Sequence, residues 1–249
     1  AAKAGTSAAA IKTLTSTTTN GTYWIKPTGV STAYQAYCNM NIGPGVILAA
    51  KIDNGSTSYW HYDSNLWTTN NNYNSSEIDT DEEHAKLQPA QDFPANYLYV
   101  TNNDMTRWCR FDLASSATGF HNIWGGNNTS FSVGGSTVGT HISASGVETD
   151  HATYFDADTG NATTASTNDL LNNKKTETWV KNVAIGNYGS FGTDASVRIG
   201  QYNWVDVGPW DSVHTIQRGL GMKGAQHNSE NSGTYPQQSS SRFQMIFLA

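Results

Sequence analysis

The sequence predicts an α+β fold that consists mainly of antiparallel β-sheet with few short helices. Segments rich in β-branched and aromatic residues recur along the chain between turns that contain glycine or asparagine. Only the alanine-rich start has a helical composition. The 249 residues are enough to bury one large core, and no linker rich in proline and serine divides them.

The first predicted element is a helix at Ala8–Leu14, because alanine and leucine propagate helices well. Residues 28–32 suit a hairpin turn, and 102–104 join a later pair of strands. The segment 45–53 is apolar at successive positions, which indicates a strand buried on both faces. Strands are predicted at 22–27, 33–40, 45–53, 96–101, 106–113, 196–204 and 241–249.

Long polar segments separate these strands at 70–83, 125–139 and 159–175. Loops of this length are usually functional or belong to a larger assembly. We therefore expect an N-terminal segment at 1–19 and a single domain at 20–249 with a loop-rich C-terminal lobe. Because the first residue is Ala1 and not Met, we also expect a processed product or a piece of a longer chain.

Composition excludes several classes of function. The net charge is −6 and the 14 Lys and Arg are scattered, so we expect no nucleic-acid partner. No apolar stretch reaches the ~18 residues of a membrane-spanning helix, which predicts no membrane insertion. The sequence also lacks the Gly-x-Ser-x-Gly, His-Glu-x-x-His and phosphate-loop signatures, so we expect a protein that is not an enzyme.

The two cysteines, Cys38 and Cys109, allow one disulfide or two buried thiols. Apolar neighbours in both strands suit buried side chains. Assembly in a reducing cytosol would favour free thiols.

Acidic residues concentrate at Glu77–His84, and carboxylate oxygens there could bind a hard cation. The spacing does not specify a ligand geometry, so a solvated loop is the alternative interpretation. Asp156 and Asp158 form a second acidic pair, in an Asp-x-Asp arrangement. Trp204 and Trp210 lie among the C-terminal segments and are the tryptophans that we expect to be exposed for ligand stacking.

Residues 20–52 resemble the start of a fibrinogen-related domain. That family begins with Asp/Asn-Gly and an apolar strand ending in proline, and continues with a Tyr-Cys-Asp-Met strand and a glycine turn before a buried strand. The matching positions are Asn20-Gly21, Tyr23, Ile25, Pro27, Tyr37-Cys38-Asn39-Met40 and Gly43-Pro44-Gly45. The end of the chain, 239–249, is similar to the last strand of such domains in phage structural proteins.

The resemblance also implies a metal site and a ligand site. Fibrinogen-like domains hold a structural Ca²⁺ with an Asp-x-Asp pair, which corresponds here to Asp156 and Asp158. Intelectin-like members hold a sugar through Ca²⁺ in a late polar cluster. The residues of this chain that would form the ligand-binding cluster are His227, Asn228, Glu230 and Tyr235.

The chain departs from the family at three positions. Alanines 8–10 stand where members place the cysteine that bonds to the Tyr-Cys cysteine, the C-terminal cysteine pair is absent, and Val46 replaces a frequent Trp. These differences favour a phage or microbial member over an animal lectin.

We therefore expect a recognition module on a virion surface or outside the cell, binding a host-surface glycan or another receptor through its C-terminal loops. A structural virion protein in an oligomeric assembly with other virion proteins is the first alternative. A secreted calcium-dependent lectin is the second.

Overall fold

The computed structural model describes residues 4–53, 60, 64–81, 83–105, 108–124, 180–189, 196–205, 214–220 and 243–249. Three helices lie in these ranges: α1 (Ala8–Thr15), α2 (Pro89–Asp92) and α3 (Gly119–Trp124). The strands are β1 (Gly21–Ile25), β2 (Tyr34–Asn39), β3 (Val46–Asp53), β4 (Ala85–Lys86), β5 (Pro94–Asn102), β6 (Trp108–Thr118), β7 (Val180–Gly189), β8 (Ser196–Val205), β9 (His214–Leu220) and β10 (Phe243–Leu248). No helix among them is long and apolar enough to cross a membrane.

Seven strands form one antiparallel sheet in the order β1-β2-β3-β10-β5-β6, with β4 beside β3. The last strand, β10, therefore lies between β3 and β5, and all six of its residues are buried. This arrangement confirms the predicted α+β class, mainly antiparallel sheet with few short helices. It also confirms the hairpin of β1 and β2 and the pair of β5 and β6.

Helix α1 begins where predicted. The Ser7 hydroxyl accepts a hydrogen bond from the Ala10 amide at 3.0 Å and caps the first turn. The helix ends at Ser16, whose backbone is left-handed. Its buried residues, Ala8 and Ile11, attach it to the sheet.

The central strands β3 and β10 of the seven-stranded sheet are buried on both faces. Alternating residues of β3 and β10 point to opposite sides, as in any strand, and each side has its own cluster of apolar residues. The first core contains buried residues of all three helices and the rings of Trp60, Trp67, Phe120 and Trp124. The second core contains Ile42, Val46, Leu48, Ala85, Leu87, Tyr99, Trp108, Phe243, Met245 and Phe247. The prediction that β3 is buried on both faces is confirmed.

Cys38 is a buried free thiol, as predicted. It lies on β2, and Cys109 lies on β6, four strand positions away across the sheet. Strand spacings of about 4.8 Å place the two Cα atoms roughly 19 Å apart, whereas a disulfide requires about 7 Å or less. Burial raises the pKa of the Cys38 thiol to about 12.

A second sheet has the order β7-β8-β9, with antiparallel neighbours. Strand β8 confirms the strand predicted at 196–204. β7 and β9 were not predicted, because short mixed-polarity segments at 180–189 and 214–220 do not alternate clearly. The division into 1–19 and 20–249 stays a prediction, as do the loops at 125–139 and 159–175, which lie outside the described residues.

Gly119 joins β6 to α3 and gives a first prediction. Its φ is +68°, and a Cβ there would lie 2.2 Å from the Gln91 carbonyl oxygen. Replacing Gly119 by alanine is expected to lower the free energy of unfolding by about 2 kcal/mol, because the strain of a left-handed backbone adds to a backbone clash. Urea unfolding followed by tryptophan fluorescence measures this.

The matched control is Gly29→Ala. Gly29 also has a positive φ, +87°, but a Cβ there meets nothing within 4 Å. This variant should lose only about 1 kcal/mol, from strain alone. Equal losses of unfolding free energy at both positions would show that the clash with the Gln91 carbonyl oxygen adds nothing to the backbone strain.

Candidate functional site

Most of the predicted site residues lie outside the described residues: Asp156, Asp158, Trp210, His227, Asn228, Glu230 and Tyr235. Trp204 is the exception. It lies on β8, where its backbone pairs with Thr215 of β9, so it belongs to a strand and not to a loop.

All eight of these residues lie in one segment of the chain, 125–242. The segment 125–242 begins directly after α3 and ends directly before β10. Phe120, Ile123 and Trp124 of α3 are buried in the first core, and β10 is a central strand. The chain therefore leaves the seven-stranded sheet and returns to it at two packed elements, and the segment between them contains every predicted ligand and metal residue.

Within the described ranges, one acidic cluster has the arrangement of a metal site. Carboxylate oxygens of Glu77, Asp79 and Asp81 lie within 4.8 Å of one another. The turn that carries them is held by the Asn74 side-chain amide, which donates to the His84 carbonyl at 3.0 Å. Three carboxylates at this spacing could hold a hard cation, as the acidic run in the sequence indicated.

The cluster already faces a cation from the protein itself. The Lys51 side chain is fully buried on β3, and its ammonium donates to Asp79 Oδ1 at 3.0 Å and to Asp81 Oδ1. Hydrogen bonds from Lys51 and then Asp81 hold the pKa of Asp79 below its usual range. Sequence reasoning missed Lys51, because it is the one charged residue in the apolar stretch from Val46 to Ile52.

A second buried lysine lies on the neighbouring strand. Lys86 of β4 donates from Nζ to the Thr69 carbonyl, and the same ammonium lies 5.7 Å from the centre of the Phe120 ring. Phe120 in turn packs against Trp67 and Trp124, with ring centroids 6.4 Å and 4.7 Å away. Desolvation by these groups lowers the pKa of Lys86 to about 8.

The two lysines hold one segment on both faces of the sheet. Lys51 pairs with Ala85 and Lys86 pairs with Ala50, so the lysines occupy successive positions and point to opposite sides. Lys86 faces the first core and holds Thr69; Lys51 faces the second core and holds Asp79 and Asp81. The segment 64–81 therefore passes around the sheet beside β4, where Tyr73 and Lys86 exchange backbone hydrogen bonds of 3.0 and 2.7 Å.

The tryptophans divide into buried and exposed ones. Trp60, Trp67, Trp108 and Trp124 are each at most 4% exposed, whereas Trp24 on β1 is 48% exposed. The sequence analysis favoured Trp204 and Trp210 as exposed and did not single out Trp24. The sequence held a partial signal of this exposure, because Thr22 and Lys26, two residues before and after Trp24, point to the same side of the strand and are polar.

No protein-family model matches the chain, and no curated protein sequence matches it.

Proposed function

We propose that this chain is a non-enzymatic recognition module with a fibrinogen-like fold, exposed on a virion, in which the segment 125–242 binds a host-surface glycan. One observation carries the proposal: this segment, with all the predicted ligand residues, is inserted between α3, which packs in the first core, and β10, a central strand of the seven-stranded sheet. Binding residues are commonly carried on loops that a rigid scaffold positions.

The positions that resemble fibrinogen-related domains support the fold assignment. Asn20 to Ile52 form β1, β2 and β3, and the terminal segment forms β10. These four strands are consecutive in one sheet. The similar segments are therefore neighbours in space and not scattered matches.

We place the calcium ion at Asp156 and Asp158, which the resemblance implies, and not at Glu77, Asp79 and Asp81. Two carboxylates of that cluster already neutralise the Lys51 ammonium, which is fully buried and has no exposure to water. A divalent cation there would compete with a tethered ammonium and repel it. When bound, calcium at Asp156 and Asp158 would have a structural role, whereas a calcium ion in the cluster of His227, Asn228 and Glu230 would supply open positions for two sugar hydroxyls.

The test is a glycan array and host-cell binding with the full chain, with and without EDTA. We expect binding that EDTA weakens, and weaker binding in the variants Asp156→Asn with Asp158→Asn, and Glu230→Gln. Glu83→Gln is the matched control, because Glu83 is exposed and lies outside the segment. Circular dichroism checks that each variant is folded. Absence of binding to every glycan and to host cells would contradict the proposal; a specific oligomer with other virion proteins would then favour a structural role.

A further inference from the structure

The turn between β5 and β6 carries a partly exposed methionine. Met105 packs against the second core but is partly open to solvent, whereas Met40 and Met245 are fully buried. Its φ is +57°, a left-handed conformation that residues with a side chain rarely adopt. The fourth methionine, Met222, lies outside the described residues. Of the three described methionines, Met105 is therefore the one that a small oxidant in solution reaches most readily.

A buried amide occupies one side of the Met105 sulfur. Nδ2 of Asn39 donates a hydrogen bond to Sδ of Met105 at 3.3 Å. Asn39 is only 3% exposed, and its Oδ1 accepts hydrogen bonds from the backbone amides of Asn41 at 2.9 Å and Ile42 at 3.2 Å. Because the side-chain amide is held at its oxygen end, its nitrogen has a fixed position beside the sulfur.

The side from which a sulfur is oxidised decides the product. A thioether sulfur has two lone pairs, one on each side of the plane of its two S–C bonds, and either can accept a hydrogen bond. Transfer of an oxygen atom to one lone pair gives one epimer of methionine sulfoxide, and transfer to the other gives the opposite epimer. At Met105 the Asn39 amide covers one lone pair, so an oxidant meets the other.

We propose that Met105 is a site of reversible oxidation by hydrogen peroxide, and that Asn39 directs the reaction to one epimer of the sulfoxide. The sulfur lone pair that faces away from Asn39 attacks one peroxide oxygen, the O–O bond breaks and the S–O bond forms. The proton of the transferred oxygen passes to the departing hydroxide, which leaves as water. The sulfur is thereby oxidised by two electrons and the peroxide is reduced. This inference is independent of the proposed function.

The experiment treats the folded full chain with hydrogen peroxide and follows each methionine by mass spectrometry of proteolytic peptides. We expect the sulfoxide to form at Met105 about tenfold faster or more than at Met40 and Met245, because those two side chains are buried. The two stereospecific classes of methionine sulfoxide reductase, applied to the peptides, then measure the epimer ratio. One class should reverse at least about five times as much of the Met105 oxidation as the other.

Two controls separate the effect of Asn39 from that of the local sequence. The parent chain oxidised in urea should react at similar rates at the three methionines and should give both epimers at Met105. Asn39→Asp keeps an oxygen that accepts from the amides of Asn41 and Ile42 but lacks the Nδ2 hydrogens. This variant, with its fold checked by circular dichroism, should also give both epimers at Met105.

Several outcomes would overturn the inference. Equal oxidation rates at Met105, Met40 and Met245 in the folded chain would do so, as would similar amounts of the two epimers at Met105. A preference for one epimer that persists in urea, or in folded Asn39→Asp, would show that the Asn39 amide does not direct the reaction. If Asn39→Asp does not fold, the comparison between the folded and the urea-unfolded parent chain decides.

Discussion

Replacing both Asp79 and Asp81 by alanine is expected to lower the free energy of unfolding by about 2–3 kcal/mol. The change leaves the Lys51 ammonium buried on β3 without either of its carboxylate partners. An uncompensated buried charge is among the most destabilising features that a substitution creates. Urea unfolding at neutral pH measures the loss.

The reverse substitution should behave differently. In Lys51→Met the lysine is replaced by an apolar chain of similar length, and Asp79 and Asp81 keep contact with water because 63% and 47% of their side chains are exposed. We expect this variant to remain within about 1 kcal/mol of the parent. Adding Lys51→Met to the double alanine variant should restore most of the lost stability. Equal losses in Lys51→Met and in the double variant would contradict this account.

The second large effect is a rise of stability with pH caused by Lys86. Its pKa is about 8 in the folded chain and 10.5 in an ordinary lysine. Between these values the unfolded chain binds more protons than the folded one, so the free energy of unfolding increases with pH in this window. Below about pH 8 both forms are protonated and the full desolvation cost remains. The difference between these two pKa values corresponds to a gain of up to about 3 kcal/mol in the free energy of unfolding across this window.

The measurement is the difference in unfolding free energy between the parent chain and Lys86→Met, from pH 7 to pH 10.5. The stability of Lys86→Met relative to the parent should be greatest at pH 7 and should decrease as the pH rises. The difference is needed because Cys38 acts in the opposite direction: its raised pKa makes the folded chain lose stability above about pH 9. That contribution is present in both proteins and cancels. A difference that is independent of pH would refute the assignment to Lys86.

Local pattern was sufficient for much of the seven-stranded sheet. The helix at Ala8 and the strands around Cys38 and Ile47 were predictable, because alanine content, β-branched residues and glycine turns act over a few residues. β4 was not predictable, because a two-residue strand that ends in Lys86 has no periodicity. The burial of Lys86 depends on its contacts with Thr69 and Phe120, which are distant in sequence.

The candidate site was likewise predictable only where it depends on residues close together in the sequence. The acidic run at 77–81 is visible in the sequence, but its relation to Lys51 is not, since the two are joined only when the segment crosses the second core. For the exposure of Trp24 the sequence held only the partial signal of its polar neighbours Thr22 and Lys26, because an aromatic ring occurs at buried and exposed strand positions alike. Burial is decided by the neighbouring strands and not by the residue alone.

The central position of β10 has a consequence for synthesis. The ribosome makes β3 and β5 early, but the strand that joins them is made only after the long segment 125–242. Until Phe243–Leu248 emerges, β1-β2-β3 and β5-β6 are separate parts with apolar edges open to other chains. Closure of the sheet is therefore a non-local event, and the facing edges of β3 and β5 stay unpaired and open to aggregation until β10 is made.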